Sequence, residues 1–199
     1  MFLEIILKLD SSIKFFKKLG EYSCKLIFKS NKLFFSIQDQ SETQIPSIKS
    51  SSTYTANSLW YHVVTTWNKS SFSSSDFKIY VNGIDVTDVG SFSLGGYDVD
   101  FALNIDEGTI GADSRTGVEA EFFNGFIDEV AIWNVALSEA QIRSLYIQGR
   151  AFLATNILNG NLVGYWNFND KADPPVNTTV DVSTNNNTGI IDGATFTGT

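Results

Sequence analysis

Residues 122–133 read FFNGFIDEVAIW and give a strong indication of a β-strand. Aromatic and β-branched side chains dominate this run, and such side chains fit the pleated, half-buried surface of a sheet. The next residues, NVALS at 134–138, lead from the strand into the start of a helix. The stretch therefore predicts a strand followed closely by a helix.

The helix is predicted at about residues 138–148. Ser138 and Gln141 have the spacing of a capping box, in which each side chain binds the backbone N–H of the other residue. Gly149 fits the stop at the C-terminal end. Three apolar residues share one face of this helix: Ile142, Leu145 and Tyr146.

Short strand patterns recur along the rest of the chain. Residues 60–67 (WYHVVTTW) have strand composition throughout, and residues 77–86 (FKIYVNGIDV) place Asn82–Gly83 between two alternating segments. This pair predicts a tight hairpin, because a type I′ turn requires positive φ at both central residues. Many short strands, one short helix and no strand–helix alternation predict an all-β, two-sheet antiparallel sandwich.

Composition limits the class of protein and its partners. The chain of 199 residues suits one domain with one core, and its 43% hydrophobic content excludes a disordered chain. One cysteine, Cys24, and one histidine, His62, exclude a disulfide within the chain and a metal centre built from several such residues. A net charge of −8 argues against nucleic acid as a partner. No apolar run approaches the ~20 residues that membrane insertion requires.

The N-terminal stretch, residues 1–9, carries Glu4 and Lys8 among its apolar residues and lacks a basic start. It is a poor signal peptide, and we expect it to form a buried or edge strand.

Three segments together resemble the laminin-G-like, concanavalin A-like lectin/glucanase superfamily, on its pentraxin-related side. They are residues 60–67, residues 78–83 and, most specifically, residues 123–138, in the order and spacing of that family. The resemblance runs from about Tyr22 to the C-terminus, and the first twenty residues match poorly. It implies a jelly-roll sandwich, and we expect residues 1–199 to form a single domain of this kind.

Residues 162–199 resemble the part of the family that usually opens the domain, but here they close it. The tail completes its own sandwich as a circular permutant, begins a truncated second repeat, or is donated to a neighbouring copy. We favour completion within the chain, because about forty residues cannot bury a core alone. Strand exchange, which would give a homo-oligomer, is the main alternative.

The resemblance also implies a structural calcium ion. In the family, the aspartate of an Ile-Asp-Glu-Val segment and a polar loop supply oxygen ligands, and four positions here match: Asp128, Asp181, Asn185 and Asn187. Thr184 stands where the family usually has glycine. The alternative interpretation is an Asx-turn loop whose aspartate accepts backbone hydrogen bonds.

Catalysis is not expected. The nearest match to the paired carboxylates of related glycosidases is Glu119 and Glu121, without a third acid. Asp128 and Glu129 would point to opposite faces of an extended strand. No nucleophilic triad spacing is present in the sequence, and His62 is expected to be packed. We therefore predict no catalytic residues.

Ligand-binding residues are predicted at residues 95–101 and 113–115, which follow the Asn82–Gly83 hairpin. Sandwich lectins stack sugars on aromatic rings and bind hydroxyl groups through polar side chains. The candidates with this chemistry are Tyr97, Asp98, Asp100 and Arg115, whereas the four tryptophans are expected in the core.

These observations predict a non-catalytic module that recognises a glycan or a surface protein. The expected setting is extracellular, or the surface of a virion or other particle. The alternatives are a structural, decoration or fibre protein of such an assembly and, less favoured, a glycosidase-like enzyme. Because sandwich folds carry many functions, these expected roles are drawn by analogy with the family.

Overall fold

A computed structural model describes residues 2–9, 14–19, 22–39, 44–54, 59–68, 73–94, 107–115, 118–120, 123, 125–149, 153–170 and 177–195. All strand pairs among these residues are antiparallel. The predicted two-sheet jelly-roll sandwich with a short helix is confirmed.

Six of the described strands form the first sheet, in the order β14-β13-β1-β6-β7-β8. The N-terminal strand lies inside this sheet, between β6 and β13. The predicted N-terminal strand is therefore an internal one. The bounds are β1 (Phe2–Leu9), β6 (Trp60–Thr66), β7 (Lys78–Val81), β8 (Ile84–Asp85), β13 (Gly125–Trp133) and β14 (Leu162–Trp166).

Six further strands form the second sheet, in the order β10-β2-β3-β4-β5-β9. Two short pairs, β11 with β12 and β15 with β16, form two small sheets of their own. The bounds are β2 (Lys14–Leu19), β3 (Tyr22–Lys29), β4 (Lys32–Asp39), β5 (Gln44–Ser50), β9 (Thr87–Ser93), β10 (Glu107–Thr109), β11 (Asp113–Arg115), β12 (Val118–Ala120), β15 (Thr178–Thr179) and β16 (Gly189–Ile190).

The main core lies between the two sheets. Alternate residues of β6 and β13 face it, as the period of two along a strand requires. Trp67 and Phe77 lie at its centre, both tilted against Phe35 with ring centroids 5.1 and 5.8 Å away. The buried members are Leu26, Phe28, Leu33, Phe35, Ile37, Ile48, Val63, Trp67, Phe77, Ile79, Val81, Val130 and Ile132.

A second cluster covers the other face of the first sheet. Helix α1 (Glu139–Gln148) packs Ile142 and Leu145 onto it. The predicted capping box is present, with Ser138 as N-cap and Gly149 as C-cap. The Trp133 indole Nε1 donates to the Ile157 carbonyl at 2.9 Å. The buried members are Val64, Tyr80, Ala131, Trp133, Leu137, Ile142, Leu145, Ala154, Ile157, Leu162 and Tyr165.

The predicted hairpin joins β7 to β8. Asn82 and Gly83 both have positive φ, 53° and 75°, as a type I′ turn requires. A Cβ added at Gly83 would lie 3.2 Å from Cδ1 of Tyr146. The hairpin therefore contacts α1 at a position where a side chain has little room.

The alternation of β13 is interrupted at Glu129. Its φ is 53°, and the pairing with β1 shifts register between Glu4 and Ile6. The Tyr165 hydroxyl donates to Glu129 Oε2. The expectation that Asp128 and Glu129 point to opposite faces assumed an extended backbone, and the bulge removes that assumption.

Candidate functional site

Most of the predicted ligand-binding residues cannot be placed. Tyr97, Asp98 and Asp100 lie outside the described residues, and Arg115 lies at the end of β11, where its backbone pairs with Val118. Their role in binding stays a prediction.

Asp181 is buried, and its carboxylate is surrounded by hydrogen-bond donors. Oδ1 accepts from the backbone N–H groups of Tyr165 at 2.9 Å and Ser183 at 2.8 Å. Oδ2 accepts from the Ser183 hydroxyl at 2.9 Å and the Asn187 N–H at 2.8 Å. An ionised carboxylate has about four acceptor positions, so these four donors saturate it.

The neighbouring asparagines act as donors on the edge of β14. Asn185 Nδ2 donates to the Leu162 carbonyl at 2.6 Å, and Asn187 Nδ2 donates to the Val163 carbonyl at 2.7 Å. The backbone N–H of Val182 also donates to the Tyr165 carbonyl, at 2.8 Å. We call residues 181–187 the edge loop, since they occupy the side of β14 that β13 does not pair.

Asp128 lies on the other side of β14, in β13 and opposite Ile6 of β1. Its Oδ1 accepts from the Glu129 N–H at 3.1 Å. Within the described residues, no three His, Cys, Asp or Glu side chains are grouped as metal ligands. As placed, the four predicted ligands do not fit a calcium ion, because donors already fill the Asp181 carboxylate and β14 separates the edge loop from β13.

A surface of exposed apolar rings lies on the outer face of the first sheet. Trp60 and Phe126 are 40% and 39% exposed, with ring centroids 6.4 Å apart. Both residues are in register with Lys8 of β1, so one strand separates them. Leu59, which is 62% exposed, precedes Trp60. We call Leu59, Trp60 and Phe126 the aromatic surface.

Asp128 faces the same side of the sheet as Phe126. Ile127 packs against the core between the sheets, so both of its neighbours along the strand point outward. The next row holds His62, which is also opposite Ile6 and stacks on Tyr146 of α1 with centroids 6.0 Å apart. The helix thus covers the face beyond His62, and the carboxylate of Asp128 borders the aromatic surface.

The aromatic surface was not foreseen from the sequence. Trp67 and Trp133 are buried as expected, but Trp60 is not. Its position at the first residue of β6, next to Leu59, is the local signal, since strand ends often leave the core.

The carboxylates considered for catalysis are placed only in part. Glu119 lies in β12 opposite Ser114, and Glu121 lies outside the described residues. His62 is buried within β6 against Tyr146, which agrees with a packed role.

Comparison with known proteins identifies the family. Residues 8–143 match a laminin G model described as the concanavalin A-like lectin/glucanases superfamily. The match spans more than half of the chain, and the chain therefore belongs to this superfamily. The matched region begins at residue 8, so it extends further toward the N-terminus than the expected start near Tyr22.

A solved structure with a similar fold is that of a candidate carbohydrate-binding protein from Bacteroides ovatus, determined at 1.50 Å resolution. The TM-score is 0.63 at 18% sequence identity, over 98% of this chain and 52% of that protein. The chain thus spans about half the length of that neighbour, and at this identity the likeness concerns the fold. No protein with curated annotation matches the sequence. Among the described residues, no helix is long and apolar enough to span a membrane.

Proposed function

We propose that the chain is a non-catalytic carbohydrate-binding module that holds a sugar on the aromatic surface. The observation that carries the proposal is the exposed pair of rings, Trp60 and Phe126, beside the carboxylate of Asp128. The candidate carbohydrate-binding role of the Bacteroides ovatus protein supports it.

The two rings supply the apolar part of recognition. One face of a pyranose ring presents C–H groups, which pack against aromatic side chains and release water. Trp60 and Phe126 project from a sheet in which β1 is paired on both sides, so the backbone is ordered before binding. Little conformational entropy is then lost on association.

Asp128 supplies the polar part. A carboxylate at the border of the rings accepts hydrogen bonds from sugar hydroxyls, and such charge-assisted bonds are stronger than neutral ones. Rings alone would bind many apolar ligands, so the carboxylate gives preference for a hydroxylated one.

The superfamily includes lectins and glucanases by description, so membership is compatible with binding and with hydrolysis. We favour binding because an exposed pair of rings beside a carboxylate suits recognition of a sugar, and the carboxylate of Glu129 accepts from the Tyr165 hydroxyl. Recognition of glycans at a cell or particle surface is the corresponding biological setting. A structural role in a virion or other assembly is the alternative.

A glycan array followed by calorimetry tests the proposal. We expect Trp60→Ala and Phe126→Ala each to weaken binding at least about tenfold, as truncation of a central aromatic contact does. Trp60→Phe keeps a ring and should lose less. The control is Ile190→Ala, because Ile190 is the most exposed large apolar side chain described and lies on β16, in a separate two-stranded sheet.

Binding to no glycan on the array would overturn the proposal, and a stable oligomer in light scattering would then favour the assembly role. Equal affinity of Trp60→Ala and the native chain would exclude this surface as the site. Release of reducing sugar by the native chain would contradict the non-catalytic part.

A further inference from the structure

A cleft lies at the edge of the sandwich where β7, β8 and β9 meet. Its volume is about 450 Å³, and it is lined by Ser74, Ser75, Lys78, Asp85, Thr87 and Val89. The cleft takes side chains from four separate stretches of sequence, and none of them belongs to the aromatic surface.

An ion pair held in a fixed geometry forms one wall. Lys78 Nζ donates to Asp85 Oδ2 at 2.7 Å. Asp85 Oδ1 accepts from the Thr87 N–H at 3.0 Å and from the Thr87 hydroxyl at 2.5 Å. The Ile79 N–H in turn donates to the Thr87 hydroxyl at 3.0 Å, which anchors the group to β7.

A serine turn forms another part of the lining. The Ser73 N–H and hydroxyl donate to Asp76 Oδ2 at 2.9 and 2.6 Å, and the hydroxyls of Ser73 and Ser75 lie 2.7 Å apart. The turn is therefore preorganised, and Ser74 and Ser75 line the same cleft as the ion pair.

The ion pair retains capacity for a ligand. An ammonium group has three N–H donors, and among the described residues one of them, on Lys78, is used. Within the described part of the chain, Asp85 Oδ2 accepts that bond and no other, so a second acceptor position remains. The pair is partly exposed, with side-chain exposures of 39% for Lys78 and 31% for Asp85. Donor and acceptor therefore lie side by side at the wall of the cleft.

The charge of the pair indicates the chemistry of the ligand. A charged ligand would be attracted by one member and repelled by the other at nearly the same distance. A neutral polyol avoids this conflict, since one hydroxyl accepts from Lys78 while the adjacent hydroxyl donates to Asp85. Val89, which is exposed, offers an apolar contact for the C–H groups of the same ligand.

We propose that this cleft is a second carbohydrate site, which binds a neutral sugar through two adjacent hydroxyl groups held by Lys78 and Asp85. The inference rests on the proposed function in that both sites take sugars, and it adds a site that recognises by hydrogen bonds without ring stacking.

The two sites are far enough apart to bind independently. Lys78 is in register with Thr66, which follows Trp60 by six positions along β6. At ~3.4 Å per residue the separation is roughly 20 Å. Between them, Tyr146 of α1 stacks on His62. A branched or repetitive glycan that reaches both sites would gain avidity.

An NMR titration with methyl glycosides of glucose, mannose and galactose tests the inference, with the amide signals of Ser75, Lys78 and Thr87 as the readout. We expect these signals to shift in the native chain and in Trp60→Ala. Lys78→Met and Asp85→Asn should each weaken that response at least about tenfold, the loss typical of a charge-assisted hydrogen bond. The matched control is Lys49→Met, which removes a similar Lys–Asp pair, with Asp88 at 3.8 Å, outside the cleft.

The outcomes separate this inference from the proposed function. Shifts confined to Trp60 and Phe126 would overturn the second site and leave the first intact, whereas shifts confined to the cleft would do the reverse. Loss of the cleft response in Trp60→Ala would contradict independence. Glucuronate binding at the cleft more than about tenfold tighter than glucose would overturn the assignment of a neutral ligand. Circular dichroism establishes whether each variant is folded. If Lys78→Met does not fold, Asp85→Asn alone tests the role of the ion pair.

Discussion

Tyr165 donates its backbone N–H to Oδ1 of Asp181 at 2.9 Å, and the two residues are both buried. The same tyrosine donates its hydroxyl to Glu129 of β13. One residue of β14 thus connects the edge loop on one side with the neighbouring strand on the other. The position of the tail depends on these polar contacts as well as on the pairing of β14 with β13.

Asp181→Asn should destabilise the chain. The new amide places N–H groups where N–H and O–H donors already point, which leaves at least one buried donor without an acceptor. We expect a loss of about 2–3 kcal/mol in the free energy of unfolding, measured in urea. Asp192→Asn, at an exposed position near the same end of the chain, should change it by less than about 0.5 kcal/mol. Equal losses in the two variants would contradict the role of the hydrogen bonds.

Calcium removal should not lower the melting temperature. The predicted ligand Asp181 already accepts four hydrogen bonds, so binding of an ion there would have to break them. We expect the same melting temperature in EDTA and in excess calcium. A calcium ion at 100 times its dissociation constant would add ~2.7 kcal/mol and a shift of several degrees, which would support the calcium prediction instead.

Gly83→Ala should destabilise the hairpin between β7 and β8. The position has φ of 75°, and the added Cβ would lie 3.2 and 3.3 Å from Cδ1 and Cβ of Tyr146. Strain and crowding together predict a loss of about 1–3 kcal/mol, read from thermal or urea unfolding. The matched control is Gly160→Ala, since a Cβ there would meet no described atom within 4 Å. If Gly83→Ala were as stable as Gly160→Ala, α1 would have to shift away from the hairpin without a cost in free energy.

Stability should depend on the ionisation of Asp85 in acid. Partial burial tends to raise the pKa of this carboxyl, but hydrogen bonds from Lys78 and Thr87 outweigh that effect and the pKa is lowered from its ordinary value of 3.8. A carboxyl with a lowered pKa stabilises the folded state above its unfolded pKa, and this contribution is lost as the pH falls through the folded pKa. Because the pair is partly exposed, we expect about 0.2–1 kcal/mol.

The measurement compares the native chain with Asp85→Asn over the acid range. The difference in unfolding free energy should be largest near neutral pH and should vanish well below pH 3.8. Hydrogen bonding to Asp85 likewise raises the pKa of Lys78, so the contribution of that residue is present below pH 10.5 and is lost as the pH rises through its folded value. A difference that grows on acidification would reverse the assigned sign.

Local chemistry explains which parts of the fold were predictable. Ser138, Gln141 and Gly149 determine the ends of α1 by contacts within a few residues. Asn82 and Gly83 determine the hairpin in the same way. At the bulge, the Glu129 carboxylate accepts from Tyr165, which is 36 positions away in the sequence, and no local pattern reveals such a contact.

The same distinction applies to the site. The sequence identified Asp181, Asn185 and Asn187 as a polar loop but left open whether they bind an ion or the backbone, because both interpretations need the same residue types. The folded chain places β14 beside the loop, and the asparagine side chains then donate to backbone carbonyls of that strand. The exposure of Trp60 and the cleft around Lys78 likewise arise from strands that meet only in the folded chain.

The edge loop has a consequence for how copies of this chain meet. Polar side chains of this loop donate to carbonyl groups of β14 that a strand of a second copy would otherwise pair with. The loop therefore prevents the addition of a further strand at this end of the sheet. A fragment ending at residue 170 would keep β14 and lose the edge loop, so copies of it could pair through β14 without a limit on their number.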